Sequence, residues 1–223
     1  MKGNMMVFQG NGQQYEGYLS QPANGGAGVV VIQEWWGLND HIQDVCDRFA
    51  AEGFAAFAPD LYKGEKTTSP DDAGKLMMAL NIGEAEKILL GAIDALLQHC
   101  TSKTVGTVGF CMGGQLSLYA AAKNPDKVSA CVNFYGIHPN VHPPFEQLKA
   151  PVLGLFAEKD AFVNAEAVES LRGQLQAHGK QHELHVYKGV EHAFFNDTRP
   201  AYDRASAEDA WKRTLEFFRE NIS

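Results

Sequence analysis

Gly109-Phe110-Cys111-Met112-Gly113-Gly114 joins two stretches of opposite character. Before it, Thr104-Val105-Gly106-Thr107-Val108 is rich in β-branched residues and reads as a buried strand. After it, Gln115-Leu116-Ser117-Leu118-Tyr119-Ala120-Ala121-Ala122 holds good helix formers and no breaker. A strand that turns sharply into a helix through Gly-x-Cys-x-Gly-Gly is a nucleophile elbow. Its central residue takes a strained turn, and side chains at Gly109, Gly113 or Gly114 would obstruct the close strand–helix approach. The turn predicts the Cys111 sulfur at the carboxyl edge of a sheet, over a helix N-terminus whose free N–H groups and dipole favour a thiolate and a developing oxyanion. Alone, Cys111 reads equally well as a small buried apolar residue; its partners elsewhere in the chain decide.

Outward from the elbow the chain alternates strands and helices. Residues 5–8 and 14–19 form a hairpin signal around Asn11-Gly12. Gly28 to Ile32 is a continuous β-branched run, as in a strand buried on both faces. A helix follows from Asp40 to Glu52, with Ile42, Val45, Cys46, Phe49 and Ala50 on its apolar face, and Gly53 ends it. Further strands are expected at 54–58, 130–135, 151–157 and 182–187, and further helices at 71–80, 84–99, 164–178 and 203–220. An opening hairpin followed by this alternation predicts a single α/β domain over residues 1–223, with a mostly parallel central sheet flanked by helices.

A chain of 223 residues buries roughly 70% of its unfolded surface, so its core needs no staples. The formal net charge of -8, with no basic run, argues against nucleic-acid and anionic-membrane partners. The opening residues lack the apolar stretch of a signal peptide, and no run reaches the length of a membrane span, so a cytoplasmic setting is expected. Cys46, Cys100, Cys111 and Cys131 have neither metal-type nor disulfide-framework spacing; the first two and the last read as packing residues. His138 and His142 are separated by prolines, and His178, His182 and His185 share no face, so no metal is expected. Gly-x-Gly-x-x-Gly is absent as a strand-to-helix turn, so no nucleotide cofactor is expected either.

In open parallel sheets the site lies beyond the carboxyl ends of the strands. Glu34 follows the strand at 28–32, Asp160 the strand at 151–157, and His192 the last strand. The order Cys111, Asp160, His192 is nucleophile, acid, base. A histidine exchanges protons near neutral pH, and a carboxylate fixes its tautomer and stabilises its cation. Singly, Asp160 is also a plausible loop carboxylate or cap, and His192 a loop histidine; their order and placement favour the triad. The backbone N–H groups of Met112 and Trp35 are the expected oxyanion hole, while the side chains of Trp35 and Trp36 read as pocket walls. Glu34 beside an oxyanion hole would repel a thiolate, which suggests control of thiol ionisation; the bland reading is a loop carboxylate bonded to nearby backbone. Trp36, Tyr62, Tyr135, Phe194 and Asn196 are the expected substrate-pocket residues.

Gln33-Glu34-Trp35-Trp36-Gly37, Pro59-Asp60-Leu61-Tyr62, the elbow, Asp160 and His192-Ala193-Phe194 together resemble the dienelactone hydrolase family over nearly the whole chain. The resemblance implies an α/β-hydrolase fold without a lid domain and a Cys-His-Asp triad on Cys111, His192 and Asp160. It also implies that Glu34 governs whether Cys111 is thiol or thiolate, with activation as substrate binds. It thus implies a carboxymethylenebutenolidase-like hydrolase of a lactone or small ester, as a monomer or weak homodimer. One departure is informative. Family members acting on the chlorocatechol-pathway lactone hold its carboxylate with two arginines, one in the helix after the Asp-Leu-Tyr loop and one four residues past the histidine. Asn196 occupies the second place, and no arginine lies between Arg48 and Arg172. Lys63, Lys66, Lys75 and Arg199 are the available substitutes, though a lysine does not reproduce a bidentate fork. A broader carboxylesterase or thioesterase stays open beside the dienelactone reading, as does a redox-sensing homologue in which the thiol forms a reversible sulfenic acid.

Overall fold

In the computed structural model, which describes residues 2–223, one eight-stranded sheet runs through the molecule. Its strands are β1 (Asn4–Gly10), β2 (Gln13–Ser20), β3 (Ala27–Ile32), β4 (Phe54–Pro59), β5 (Val105–Phe110), β6 (Val128–Phe134), β7 (Val152–Ala157) and β8 (His182–Tyr187). Their spatial order is β1-β2-β4-β3-β5-β6-β7-β8. The hairpin β1–β2 closes on itself and on β4 in antiparallel fashion; every other pairing is parallel.

The helices are α1 (Asp40–Ala51), α2 (Pro70–Ala79), α3 (Ile82–Leu97), α4 (Met112–Lys123), α5 (Ala165–Ala177) and α6 (Arg204–Asn221). Strand alternation splits the core into two layers. Val30 and Ile32 of β3 face Ile88, Leu89 and Ile93 of α3, Leu116 of α4 and Leu171 of α5. Val29 and Val31 face Ile42, Val45 and Phe49 of α1 and Leu215 and Phe218 of α6. Central strands β3, β4, β5 and β7 are buried almost throughout, which explains their unbroken apolar runs.

The helix starts follow from local chemistry. Asn39, Ser69, Asn81, Asn164 and Asp203 each accept a backbone N–H of the first turn. Only α4 starts without a side-chain cap, because its N-cap position is Cys111. The expected elements agree with the observed ones to within a few residues. The largest difference is at α4, which begins at Met112 instead of Gln115: Gly113 and Gly114 are already helical.

Candidate active site

The elbow is built as its glycines suggest. Cys111 has φ 55° and ψ -126°, a conformation that a side chain disfavours. It is held by its own N–H donating to Phe134 O (3.1 Å) and by Gly114 N–H donating to Cys111 O (2.9 Å). A Cβ at Gly109 would fall on the Gly113 carbonyl, and one at Gly113 would lie 2.5 Å from the carbonyl oxygens of Ile32 and Gln33. The turn therefore packs backbone against backbone, and brings the loop after β3 against the start of α4.

Four strand ends deliver the chemistry. Asp160, after β7, is 4% exposed; its Oδ1 accepts the Phe162 and Val163 N–H groups (both 2.8 Å) and its Oδ2 bonds His192 Nδ1 at 2.7 Å. With Nδ1 committed, Nε2 is the nitrogen left for the cleft that His192 and Cys111 both line. Burial of the His192 ring disfavours its cation, but hydrogen bonding and charge from Asp160 and Cys111 outweigh it and hold the pKa up, to about 10. Burial likewise pushes against the Asp160 carboxylate, and the bonds from His192, Val163 and Phe162 win, leaving its pKa below the usual range.

Glu34, after β3, is 1% exposed. Burial raises its pKa; the Asn196 amide, which donates to Glu34 Oε2 at 2.8 Å, and the charges of His192 and Arg199 pull the other way without cancelling it. Trp35 and Met112 each present a backbone N–H that finds no acceptor among the described residues. Met112 owes this to its place in the first turn of α4, where no carbonyl precedes it in the helix.

The Pro59-Asp60-Leu61-Tyr62 stretch supports this arrangement without touching the cleft. Asp60 accepts the N–H groups of Tyr62 (3.0 Å) and Gly64 (2.6 Å), and Gln33 Oε1 accepts the Leu61 N–H at 3.1 Å, tying this loop to the one that carries Glu34.

The cleft itself, about 210 Å³, is walled by Trp35, Met77, Ile137, Pro139 and Phe162, with Cys111 and His192 at its polar end. The expected pocket residues Trp36, Tyr62, Tyr135, Phe194 and Asn196 are all buried and lie outside the lining of this cleft. Arg199 covers the Trp36 ring at 3.8 Å, and the Tyr62 hydroxyl donates to Met112 Sδ at 3.2 Å. Tyr135 packs edge-on beneath His192 (5.0 Å) and against Phe194 (5.4 Å). Asn196 is turned inward because the buried Glu34 carboxylate needs a donor. The wall residues that were missed come from connections remote in sequence. Met77 lies on α2, and Ile137 and Pro139 follow β6; His138 joins the two by bonding Met77 O through Nε2 and accepting the Asn140 N–H through Nδ1 (both 3.1 Å). Phe162 lies two positions past Asp160, whose Oδ1 accepts its N–H, so the local turn at the end of β7 was the signal that could have found it.

A model of the dienelactone hydrolase family matches residues 15–222. Protein usf of Aquifex pyrophilus is 42% identical over 99% of this chain and 100% of its own length. A protein of Aquifex aeolicus named "Putative carboxymethylenebutenolidase" is 38% identical over 97% of this chain and 98% of its own. Among solved structures, a "Putative Dienelactone Hydrolase" from Klebsiella pneumoniae matches with a TM-score of 0.86 at 30% identity, over 97% of this chain and 99% of that one. The Pyrococcus horikoshii acylaminoacyl peptidase shares the fold alone, with a TM-score of 0.76 at 16% identity over 99% of this chain and 42% of that one.

Proposed function

The chain belongs to the dienelactone hydrolase family, and on that premise we propose that it cleaves a lactone or small ester through Cys111, His192 and Asp160 by way of a thioester. The observation that carries this reading is the His192 ring: Asp160 holds Nδ1 at 2.7 Å, and the other side of the ring shares an apolar cleft with the Cys111 sulfur.

In the first step the Cys111 sulfur attacks the carbonyl carbon and the carbonyl π electrons move to oxygen. The Met112 and Trp35 N–H groups, with no other acceptor, receive that oxyanion. His192 takes the thiol proton and returns it to the leaving oxygen as the C–O bond breaks, leaving an acyl–sulfur bond. Water then attacks the thioester and His192 takes its proton; as the C–S bond breaks, the imidazolium returns that proton to sulfur to restore the thiol, and the carboxylic acid released ionises to solvent. Asp160 keeps its charge throughout and stabilises the imidazolium. Glu34 sets the resting state: as a carboxylate it repels a thiolate, and as an acid it does not. Its burial favours the acid, so Glu34 and Cys111 together carry one negative charge more readily than two. The reading includes a reducing, cytoplasmic setting, which the four free cysteines suit. No helix is long and apolar enough to cross a membrane among the described residues.

The intact Asp160–His192 pair argues against a purely redox-sensing role, whereas a broader carboxylesterase or thioesterase uses the same machinery. Steady-state hydrolysis of cis-dienelactone and p-nitrophenyl acetate by wild type and Cys111→Ala tests the proposal. Turnover that disappears in the variant is expected, with an acyl adduct on Cys111 seen by mass spectrometry after a rapid acid quench; turnover retained at the wild-type rate refutes it.

A further inference from the structure

Among the described residues the cleft is lined by no lysine or arginine. Its walls are Trp35, Met77, Ile137, Pro139 and Phe162, and the ionisable groups that line it are Cys111 and His192. The four basic side chains that could have replaced the family's arginines are engaged or directed elsewhere. Lys63 pairs with Glu84 at 3.0 Å and Lys75 with Asp72 at 2.9 Å. Lys66 and Arg199 line a separate cleft with Asp40 and His41, which neither Cys111 nor His192 reaches. The position four past the histidine is spent inside the protein, where Asn196 donates to Glu34.

The apolar wall is also left open to solvent at its mouth. Phe162 is 61% exposed and Ile137 38%. Phe162 stands edge-on to Trp35 (6.2 Å between centroids) and 5.1 Å from the His192 ring. Two aromatic faces and a thioether around a gap are an arrangement that a flat or aliphatic group would complete. The volume of about 210 Å³ is below the roughly 300–1,000 Å³ of sites for drug-sized ligands, so the group is small.

We propose that the substrates of this site are neutral: a small ester or lactone whose apolar or aromatic portion lodges between Trp35, Phe162 and the Met77–Ile137–Pro139 wall, with Phe162 as the specificity-determining residue. This rests on the Cys111 mechanism proposed above. A carboxylate on that portion would meet no lysine or arginine between Trp35, Phe162 and the Met77–Ile137–Pro139 wall and would lose water there. Leaving a charge unpaired in such a place discriminates strongly, and an at least 100-fold loss in kcat/KM is expected.

The test compares shape-matched pairs: p-nitrophenyl 4-methylvalerate against p-nitrophenyl hemisuccinate, and 4-isopropylphenyl acetate against 4-carboxyphenyl acetate, each with wild type, Phe162→Ala and Cys111→Ala. The neutral member of each pair is expected to be favoured by about 100-fold or more, with Phe162→Ala raising KM for the neutral esters and narrowing the ratio. Equal rates, or preference for the charged member, overturn the proposal while leaving the triad intact. Turnover that survives Cys111→Ala removes the mechanism on which it rests. If no ester is cleaved, alkylation of Cys111 decides: relative to free glutathione, N-phenyliodoacetamide is expected to outpace iodoacetate by at least tenfold, and a ratio matching that of glutathione overturns the proposal.

Discussion

Replacing Asn196 with alanine isolates the contact that keeps a buried carboxylate in place. Asn196 is fully buried and makes three side-chain hydrogen bonds: its amide donates to Glu34 Oε2 at 2.8 Å, and its Oδ1 accepts the Thr198 N–H (3.0 Å) and hydroxyl (2.7 Å). The bond to an ionised Glu34 is worth about 1.5–3 kcal/mol. Thr198 is exposed and its donors turn to water, so the other two together add about 1 kcal/mol. The expected loss is about 2–4 kcal/mol at pH values above the Glu34 pKa, or roughly 5–15 °C in Tm for a chain of this size. The pH dependence carries the argument. The amide stabilises the carboxylate over the acid, so it lowers the Glu34 pKa relative to that of the variant. Stability from that bond is present above the Glu34 pKa, which burial has raised, and is lost as pH falls through it. At pH 4, below the ordinary glutamate value, Glu34 is protonated in both proteins and the difference should shrink to about 1–2 kcal/mol. Urea unfolding followed by tryptophan fluorescence across a series from pH 4 to pH 10 measures it. A difference that stays constant over the whole series would refute the claim that Asn196 holds a carboxylate.

Four further outcomes are expected. Asp160→Asn should cut kcat by about 10³–10⁴ through loss of the correct tautomer, as steady-state kinetics would show. Because the His192 pKa is raised to about 10, its contribution to stability is complete below pH 6.5 and fades as pH rises toward 10; Asp160→Asn should flatten that decline in a Tm-against-pH series. Cys111→Gly should be inactive but about 1 kcal/mol more stable than Cys111→Ala, since glycine adopts φ 55° and ψ -126° without strain, and a Tm no higher than that of the alanine variant would contradict it. His138→Ala should release the link between Met77 and Asn140, raising KM for neutral esters several-fold while changing kcat little; an unchanged KM would show that α2 holds its place without His138.

The sequence by itself determined the fold and the order in which Cys111, Asp160 and His192 follow their strands. β-branched runs mark strands buried on both faces, Asn, Ser and Asp caps mark the helix starts, and the spacing of Gly109, Gly113 and Gly114 is dictated by a turn in which any Cβ meets backbone. These are local constraints, written where they act. The same holds for Glu34, Asp160 and His192, because a strand end is a local signal and a parallel sheet aligns all such ends. The pocket is different. Whether Phe194 or Phe162 faces the cleft depends on which side of a turn it leaves, and Ala193, at φ 63°, bends the chain so that Phe194 goes inward. Met77, Ile137 and Pro139 meet only because α2 and the connection after β6 fold over the same sheet edge and His138 ties them. Asn196 shows the limit most plainly. Its position suggested a substrate contact, and only the tertiary structure decided that its amide serves Glu34, because a buried carboxylate must find a donor before a ligand can.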